Sequence, residues 1–223
     1  MTDQFEVAGG LQEDDFKQAG YNDRLGFIRK VYGILSVQLL MTIAMCTCSV
    51  MSKQFSDFQI QNLGLFWFMV ATSFISCIIL TCFRGVARAV PANYILLGVF
   101  TFAESWLVST VCGLYDRDIV IMAAVLTAGV VIALTVYACT TKTDFTMLGG
   151  MLFVCLCLSI LVGFFLMFSN NNAAHIVYCA LGCVLFGIYL IFDTQLILGG
   201  GRYELGYDEY IFAAMNLYLD III

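Results

Sequence analysis

Residues 173–198, AAHIVYCALGCVLFGIYLIFDTQLIL, and residues 210–223, YIFAAMNLYLDIII, decide the fold class of this chain. At 1.5 Å of rise per residue, the first run is long enough to cross a hydrocarbon core of ~30 Å. Each run carries a single formally charged side chain, Asp193 in the first and Asp220 in the second. Runs of this length and polarity predict helices in a lipid bilayer, where the backbone amides are satisfied inside each helix.

The composition extends this prediction to the whole chain. Hydrophobic residues make up 61% of the 223 residues, charged residues 12%, and the mean hydropathy is +0.93. A β-barrel would need alternating polarity, which the runs lack. We therefore predict an all-α membrane protein of seven transmembrane helices, with short connections that make successive helices antiparallel neighbours. The seven apolar segments are 31–51, 63–82, 93–112, 119–140, 147–168, 173–198 and 210–223.

The two ends of the chain differ from the segments between them. Residues 1–30 are acidic and predict a flexible cytoplasmic tail, and residues 31–223 predict one transmembrane domain. Neither a cleaved signal peptide nor a transit peptide is recognisable in the tail. The seventh segment would reach only ~21 Å as a helix, so we expect the chain to continue beyond Ile223. The net charge of −6 makes nucleic acid an improbable partner; the lipid bilayer is the expected one.

The basic residues predict the orientation of the helices in the membrane. Cytoplasmic segments carry an excess of Lys and Arg, so the side with more of them is the cytoplasmic side. With seven spans, eight basic residues share the side of the N-terminus and two lie opposite, which makes the N-terminus cytoplasmic. The eight are Lys17, Arg24, Arg29, Lys30, Arg84, Arg88, Lys142 and Arg202, and the two are Lys53 and Arg117.

The ten cysteines lie in or beside apolar runs, where cysteine behaves as a small hydrophobic residue. They show no disulfide framework in the sequence. Cys179 and Cys183 share a helix face and could hold a metal, but no second close pair of ligands accompanies them, so a packing role is favoured.

Acidic residues inside apolar helices are the feature that points to function. An ionised Asp at a helix centre costs ~2.5–3.5 kcal/mol on insertion scales, which is why such residues usually serve a function. Asp193 and Asp220 lie in the antiparallel sixth and seventh segments, at depths that differ by ~7 Å. If they meet in a low dielectric they share a proton, which makes a pH-sensitive latch. The same oxygens could attract Ca²⁺ transiently; the alternative is that each Asp only hydrogen-bonds a neighbouring helix.

Three further side chains, Asn216, Glu104 and Arg84, could support the pair. Asn216 stands four residues before Asp220 on one helix face and could orient it. Glu104 in the third segment could line the same path or simply bond a neighbouring helix. Gln195, two residues after Asp193, points elsewhere. The chain contains no recognisable nucleophile set, phosphate-binding loop or HExxH motif, so we expect no enzyme and no tightly bound cofactor.

Four short blocks carry a resemblance to a known family. They are TKTDFT at 141–146, FDTQLILG at 192–199, DEY at 208–210 and LYLDII at 217–222. Together they resemble the transmembrane Bax inhibitor motif family, lifeguard branch, over roughly residues 29–223. The resemblance implies six helices around a central seventh, and a Ca²⁺ leak gated by a hydrogen-bonded aspartate pair that matches Asp193 and Asp220. It also implies that protonation of the pair lets the last helices and helix 2 rearrange.

The resemblance also implies the membrane in which the protein resides, and it shows where this chain differs from some relatives. Many relatives sit in endoplasmic reticulum or Golgi membranes and restrain cell death; the mitochondrial inner membrane is the alternative location. Some bacterial relatives pair the aspartates with an arginine inside helix 2, whereas segment 63–82 has no charge and Arg84 lies only at its end. The latch is then carboxyl to carboxyl, or Glu104 joins it.

Two other function classes stay open. One is a non-conducting interaction protein that regulates cell-death partners or belongs to a larger membrane complex. The other is a proton-coupled transporter that uses the same carboxyls as a relay.

Overall fold

The structure is a computed structural model that describes the backbone of residues 2–223 and the side chains of residues 20–223. Within that part every regular element is helical. The elements are α1 Thr2–Met51, α2 Lys53–Gln61, α3 Leu63–Cys82, α4 Arg84–Arg88, α5 Ala92–Cys112, α6 Arg117–Thr140, a 3₁₀ helix Phe145–Leu148, α7 Gly149–Leu166, α8 Asn172–Leu198 and α9 Tyr210–Ile222.

Six of these helices are long and apolar enough to cross a membrane: α1 from Gly20 onward, α3, α5, α6, α7 with the 3₁₀ turn before it, and α8. Large apolar side chains cover their outer faces, as at Leu126 of α6 and Phe165 of α7, which are 63% and 70% exposed. A surface of this kind is stable against lipid and not against water. The protein is therefore an all-helical, multi-pass membrane protein. Helix α9 is apolar but has 13 residues, so a seventh span stays a prediction.

The helices agree closely with the apolar segments of the sequence. The bounds of α3 are those predicted, and α5 to α9 begin and end within two residues of their segments. The main difference is α1, whose helical backbone is already present before residue 31. Most of the predicted acidic tail, residues 1–19, lies outside the described side chains. Two connections also contain short helices, and Ser52 caps the first of them by accepting a hydrogen bond from the Phe55 amide at 3.4 Å.

Helix α9 is largely enclosed by its neighbours. It packs against α1, α3, α5 and α8, and its Ile211, Ala214 and Tyr218 side chains are fully buried. Small residues such as Ala213 and Ala214 let the surrounding helices approach closely, as is common between membrane helices. The ring of Tyr218 packs edge-on against Phe100 of α5, with centroids 6.0 Å apart. The main hydrophobic core of the protein is built around this helix.

Contacts between loops group the helix ends into two sets. Arg24 near the start of the described side chains, the 83–91 segment, the 141–146 loop and the 199–209 turn lie together, and we call this the basic end. At the opposite end, α2 packs on the end of α5, where the Ser56 hydroxyl donates to the Gly113 carbonyl at 3.2 Å. The grouping is the one that alternating membrane crossings require.

Candidate functional site

The side chains of Asp193 and Asp220 lie close together where α8 packs against α9. Asp193 lies on α8 near the basic end and is 5% exposed. Asp220 lies near the far end of α9 and is partly buried. The structure therefore brings together the two aspartates that the sequence singled out, on two helices joined by the 199–209 turn.

One carboxylate oxygen of Asp220, Oδ2, is buried without a hydrogen-bond donor among the described residues. Buried carboxylate oxygens normally accept hydrogen bonds, so a buried oxygen without a donor calls for an explanation. A hydrogen bond from the Asp193 carboxyl would supply such a donor, and it would require that one of the two carboxyls keeps its proton. Two carboxyls that share a proton titrate as a unit.

Tyr189 is a neighbour of the pair that the sequence did not single out. It lies one helical turn before Asp193 on α8. In the sequence Tyr189 is one of several aromatic residues in α8. The only signal that could have identified it as a neighbour of Asp193 is its position four residues earlier on the helix.

Glu104 and Asn216 do not bond the aspartates in the described residues. Glu104 accepts a short hydrogen bond from the Ser73 hydroxyl, which links α5 to α3. This contact corresponds to the packing role that the sequence allowed for Glu104. Asn216 is partly buried on α9 and makes no side-chain hydrogen bond within the part of the chain described. Its predicted role in orienting Asp220 stays a prediction.

Arg84 lies just past the end of α3, as the sequence indicated, and faces a cleft instead of the aspartates. The cleft has a volume of about 220 Å³ and lies between the α3–α4 junction and the start of α9. Arg88 forms an ion pair across it with Glu209 at 3.2 Å. Both partners are partly exposed, so the pair contributes little to stability but marks where α4 meets α9.

The 141–146 loop is fastened to the end of α8. Gln195 accepts a hydrogen bond from the Phe145 amide at 2.8 Å and donates to the Thr143 carbonyl at 3.0 Å. Its side chain thus points away from the aspartates, as the sequence indicated, and bonds the backbone of the 141–146 loop. The blocks at 141–146 and 192–199, far apart in sequence, form one structural unit beside the aspartate pair.

Asp144 ties the same loop to the 199–209 turn. Its carboxylate accepts hydrogen bonds from the Thr146 hydroxyl at 2.5 Å and from the Arg202 amide at 2.9 Å. These bonds to the charged form, led by the one from Thr146, hold the pKa of Asp144 below its usual value. The loop contacts fix the basic ends of α8 and α9, which carry Asp193 and Asp220.

Arg24 is a positioning residue that the sequence placed in the tail. Its guanidinium donates to the Leu196 carbonyl at 2.6 Å and to the Leu205 carbonyl at 2.7 Å. The last carbonyls of a helix have no partner within it, and a cation beside them is favourable. Arg24 also lies over the rings of Phe27 and Tyr207, with its guanidinium carbon 5.1 and 5.7 Å from their centroids. No sequence signal could have found this role, because the acceptors are backbone atoms.

The acidic and cysteine side chains do not form a built metal site. Among the described residues, no three or more His, Cys, Asp or Glu side chains are grouped closely enough to hold an ion. Cys179 and Cys183 are both exposed on α8, which leaves the packing interpretation in place. Two carboxyls alone supply fewer oxygens than the six to eight that a stable Ca²⁺ site takes.

Comparisons with known proteins agree with this architecture. Residues 24–223 match the family model described as inhibitor of apoptosis-promoting Bax1. Protein lifeguard 3 of Homo sapiens is 36% identical over 216 residues, which cover 94% of this chain and 70% of the relative. Protein lifeguard 3 of Mus musculus is 32% identical over the same shares. Protein lifeguard 4 of Mus musculus is 33% identical over 94% of this chain and 88% of the relative. The chain therefore belongs to the transmembrane Bax inhibitor motif family, in its lifeguard branch.

Proposed function

We propose that this protein is a pH-sensitive Ca²⁺ leak channel whose gate is the Asp193–Asp220 pair. The proposal is carried by the close placement of a buried Asp193 and of Asp220 where α8 packs against α9. Isolated aspartates in apolar helices are costly, and a pair that shares one proton lowers that cost. The pair closes the gate while it holds the proton.

Deprotonation opens the gate by electrostatics. When the shared proton leaves, two negative charges face each other across the α8–α9 contact in a low dielectric, and they repel. Because the 199–209 turn, the 141–146 loop and Arg24 hold the basic ends of both helices, we infer that the repulsion moves α9 away from α8 within the bundle. The anionic oxygens then attract Ca²⁺, which is transported cargo and passes without a permanent site.

The family membership supports a biological setting for this activity. The description of the matching family names apoptosis, and we propose that the leak contributes to calcium homeostasis and restrains cell death. The membrane we propose is that of the endoplasmic reticulum or Golgi, with the basic end in the cytoplasm. In that membrane α9 counts as the seventh, central span.

The proposal is tested by Ca²⁺ flux into liposomes that contain the purified full chain, measured with a trapped indicator at pH 6 and pH 8. Wild type is expected to conduct, with more flux at pH 8. Asp193→Asn and Asp220→Asn cannot build the charge repulsion, so we expect them to lose the difference between the two pH values. Asp118→Asn, an exposed aspartate at the start of α6, is the matched control and keeps it.

The other outcomes separate the competing functions. Flux and pH dependence that survive in both Asn variants contradict the gate. Proton movement in fixed ratio to Ca²⁺, followed with a second dye, would identify a proton-coupled transporter. If the wild type passes no Ca²⁺ at either pH, the remaining interpretation is a non-conducting interaction protein.

A further inference from the structure

Polar side chains of α1 and α5 face each other along a seam through the bundle. The Gln38 amide donates to the Thr101 hydroxyl at 2.8 Å, and one turn further Thr42 and Ser105 share a hydrogen bond at 2.9 Å. The two rungs have the same offset in residue number, so α1 and α5 run parallel and in register. Short polar side chains allow membrane helices to approach closely.

Two thiols lie at the far end of the seam. Cys46 follows Thr42 by one turn, and its Sγ lies 3.8 Å from the Sγ of Cys112 at the end of α5. Both cysteines are partly buried and both are free. A disulfide needs an S–S distance of about 2.05 Å, so the sulfur atoms must approach by about 1.8 Å to bond. A change of side-chain rotamer on two helices already in contact is a movement of that order.

This contact distinguishes Cys46 and Cys112 from the other cysteines. All ten cysteines of the chain lie among the described residues. Among those residues, Cys46 and Cys112 are the two whose thiols contact each other. Cys48, only two positions along α1, is exposed on another face. Proximity therefore selects a single pair.

The pair also lies near the polar opposite end of the bundle. One turn beyond Cys46, the Ser49 hydroxyl donates to Gln59 of α2 at 2.9 Å, and Gln59 donates to Ser109 of α5 at 2.8 Å. Cys112 is the last residue of α5. The thiols therefore lie at the end of the bundle and not in its middle.

We infer that Cys46 and Cys112 form a modification site at which an oxidant of the disulfide class joins α1 to α5 by a reversible disulfide. One cysteine, as its thiolate, attacks a sulfur of the oxidant, forms a mixed disulfide and releases one thiol. The second cysteine, having given up its proton, attacks the protein-bound sulfur of the mixed disulfide and releases the second thiol. Two protein thiols are oxidised, one external disulfide is reduced, and the two protons end on the released thiols.

The cross-link would fix the two helices that hold α9. The Tyr218 hydroxyl of α9 bonds Thr42 of α1 at 2.8 Å and Ser105 of α5 at 3.4 Å. Thr42 lies one turn before Cys46, and Ser105 lies two turns before Cys112. A disulfide between Cys46 and Cys112 prevents α1 and α5 from separating at this level. The inference goes beyond the proposed channel, because it concerns the spacing of α1 and α5 whether or not Ca²⁺ passes.

The experiment treats the purified full chain in detergent with oxidised glutathione and then counts free thiols by maleimide–polyethylene glycol labelling after denaturation. Wild type is expected to lose two labelled positions and to regain them after reduction with dithiothreitol. Peptide mass spectrometry under non-reducing conditions should show the segments of Cys46 and Cys112 joined. Cys46→Ser and Cys112→Ser should abolish the joined peptide, and the matched control Cys48→Ser should retain it.

Three results would overturn the inference. These are full labelling of the oxidised wild type, a joined peptide that contains other cysteines, and glutathione held on one cysteine with no joined peptide. The wild-type peptide map decides between these results even if a serine variant fails to fold. Ca²⁺ flux does not enter this test, so its failure is distinguishable from a failure of the proposed channel.

Discussion

The guanidinium of Arg24 donates a hydrogen bond of 2.7 Å to the backbone carbonyl of Leu205, across 181 positions of sequence. The same guanidinium bonds the Leu196 carbonyl near the end of α8, so one side chain of α1 spans the base of the 199–209 turn. The turn connects the helices that carry Asp193 and Asp220. The spacing of the two aspartates therefore depends on a contact with the first helix.

Arg24→Ala should loosen the 199–209 turn. It removes two hydrogen bonds from a charged donor, each worth ~1.5–3 kcal/mol, from a partly buried position. We expect a decrease of roughly 5 °C or more in the unfolding temperature of the detergent-solubilised protein. Amide hydrogen exchange in residues 199–209 should become faster.

Arg29→Ala is the matched control, because Arg29 is exposed on the same helix. It should change neither the unfolding temperature nor the exchange rates. Equal effects of the two variants would show that the loss of positive charge, and not the contacts of Arg24, is responsible.

Gly199→Ala should destabilise the protein more than Gly200→Ala. Both glycines have positive φ, +73° and +83°, so both substitutions introduce backbone strain of ~1–2 kcal/mol. At Gly199 a Cβ would also lie 2.8 Å from Arg24 Nε and 2.8 Å from Glu204 Oε2, whereas at Gly200 it would meet nothing within 4 Å. The difference in unfolding temperature between the variants reports the crowding against Arg24 and Glu204 together with the backbone of Gly199, whose ψ of −178° is accessible essentially to glycine alone. Equal temperatures would mean that the Arg24 side chain moves aside freely.

Asp144 should stabilise the protein at neutral pH and lose this effect only in acid. Its pKa is lowered in the folded protein by bonds from Thr146 and from the Arg202 amide. A carboxyl with a lowered folded pKa stabilises above its unfolded pKa, ~3.9, and the stabilisation is lost as the pH falls from there through the folded pKa. Wild type should therefore unfold at a higher temperature than Asp144→Asn at pH 7. The difference should shrink below about pH 4.

This pH window also separates Asp144 from the proposed gate. A change in Ca²⁺ flux between pH 6 and pH 8 should persist in Asp144→Asn, because Asp144 is ionised throughout that range. Loss of the flux difference in Asp144→Asn would assign the pH response to the loop instead of the aspartate pair.

Tyr218→Phe should lower the free energy of unfolding only slightly, and Tyr218→Ala should lower it much more. The Phe variant loses one hydroxyl, and its partners Thr42 and Ser105 still bond each other at 2.9 Å, so we expect a loss of about 1 kcal/mol. The Ala variant also leaves a cavity beside Phe100 in the core around α9, with a loss of ~3–5 kcal/mol. Unfolding in a denaturing-detergent titration measures both. A loss for Phe as large as for Ala would place the main role of Tyr218 in its hydroxyl.

The helices were predictable from the sequence because length and polarity decide them locally. A run such as 63–82 satisfies its own backbone and buries its side chains in lipid, and α3 has the same bounds. Asp193 and Asp220 were identifiable for a similar reason, since a carboxyl within an apolar run is anomalous wherever it packs. For Gln195 the sequence indicated that its side chain points away from the pair, but not its partners in the 141–146 loop.

The seam between α1 and α5 was not predictable. Cys46 and Cys48 read alike in the sequence, as small hydrophobic residues, but Cys46 faces Cys112 and Cys48 is exposed. Hydropathy cannot separate a side chain that faces lipid from one that faces a helix, because both environments are apolar. Which face of α1 meets α5 is decided by packing among several helices.

The amino-acid sequence was enough to predict that this chain lies in a membrane as a series of apolar helices, with two aspartates where charge is costly. These properties follow from the transfer of each side chain and each amide into lipid, one segment at a time. Three features depend on the packing of the helices: Asp193 and Asp220 lie close together, Arg24 holds the turn between their helices, and two of the ten cysteines face each other. Such contacts join residues far apart in the chain, often through backbone carbonyls that every residue possesses, so they leave no pattern in the sequence.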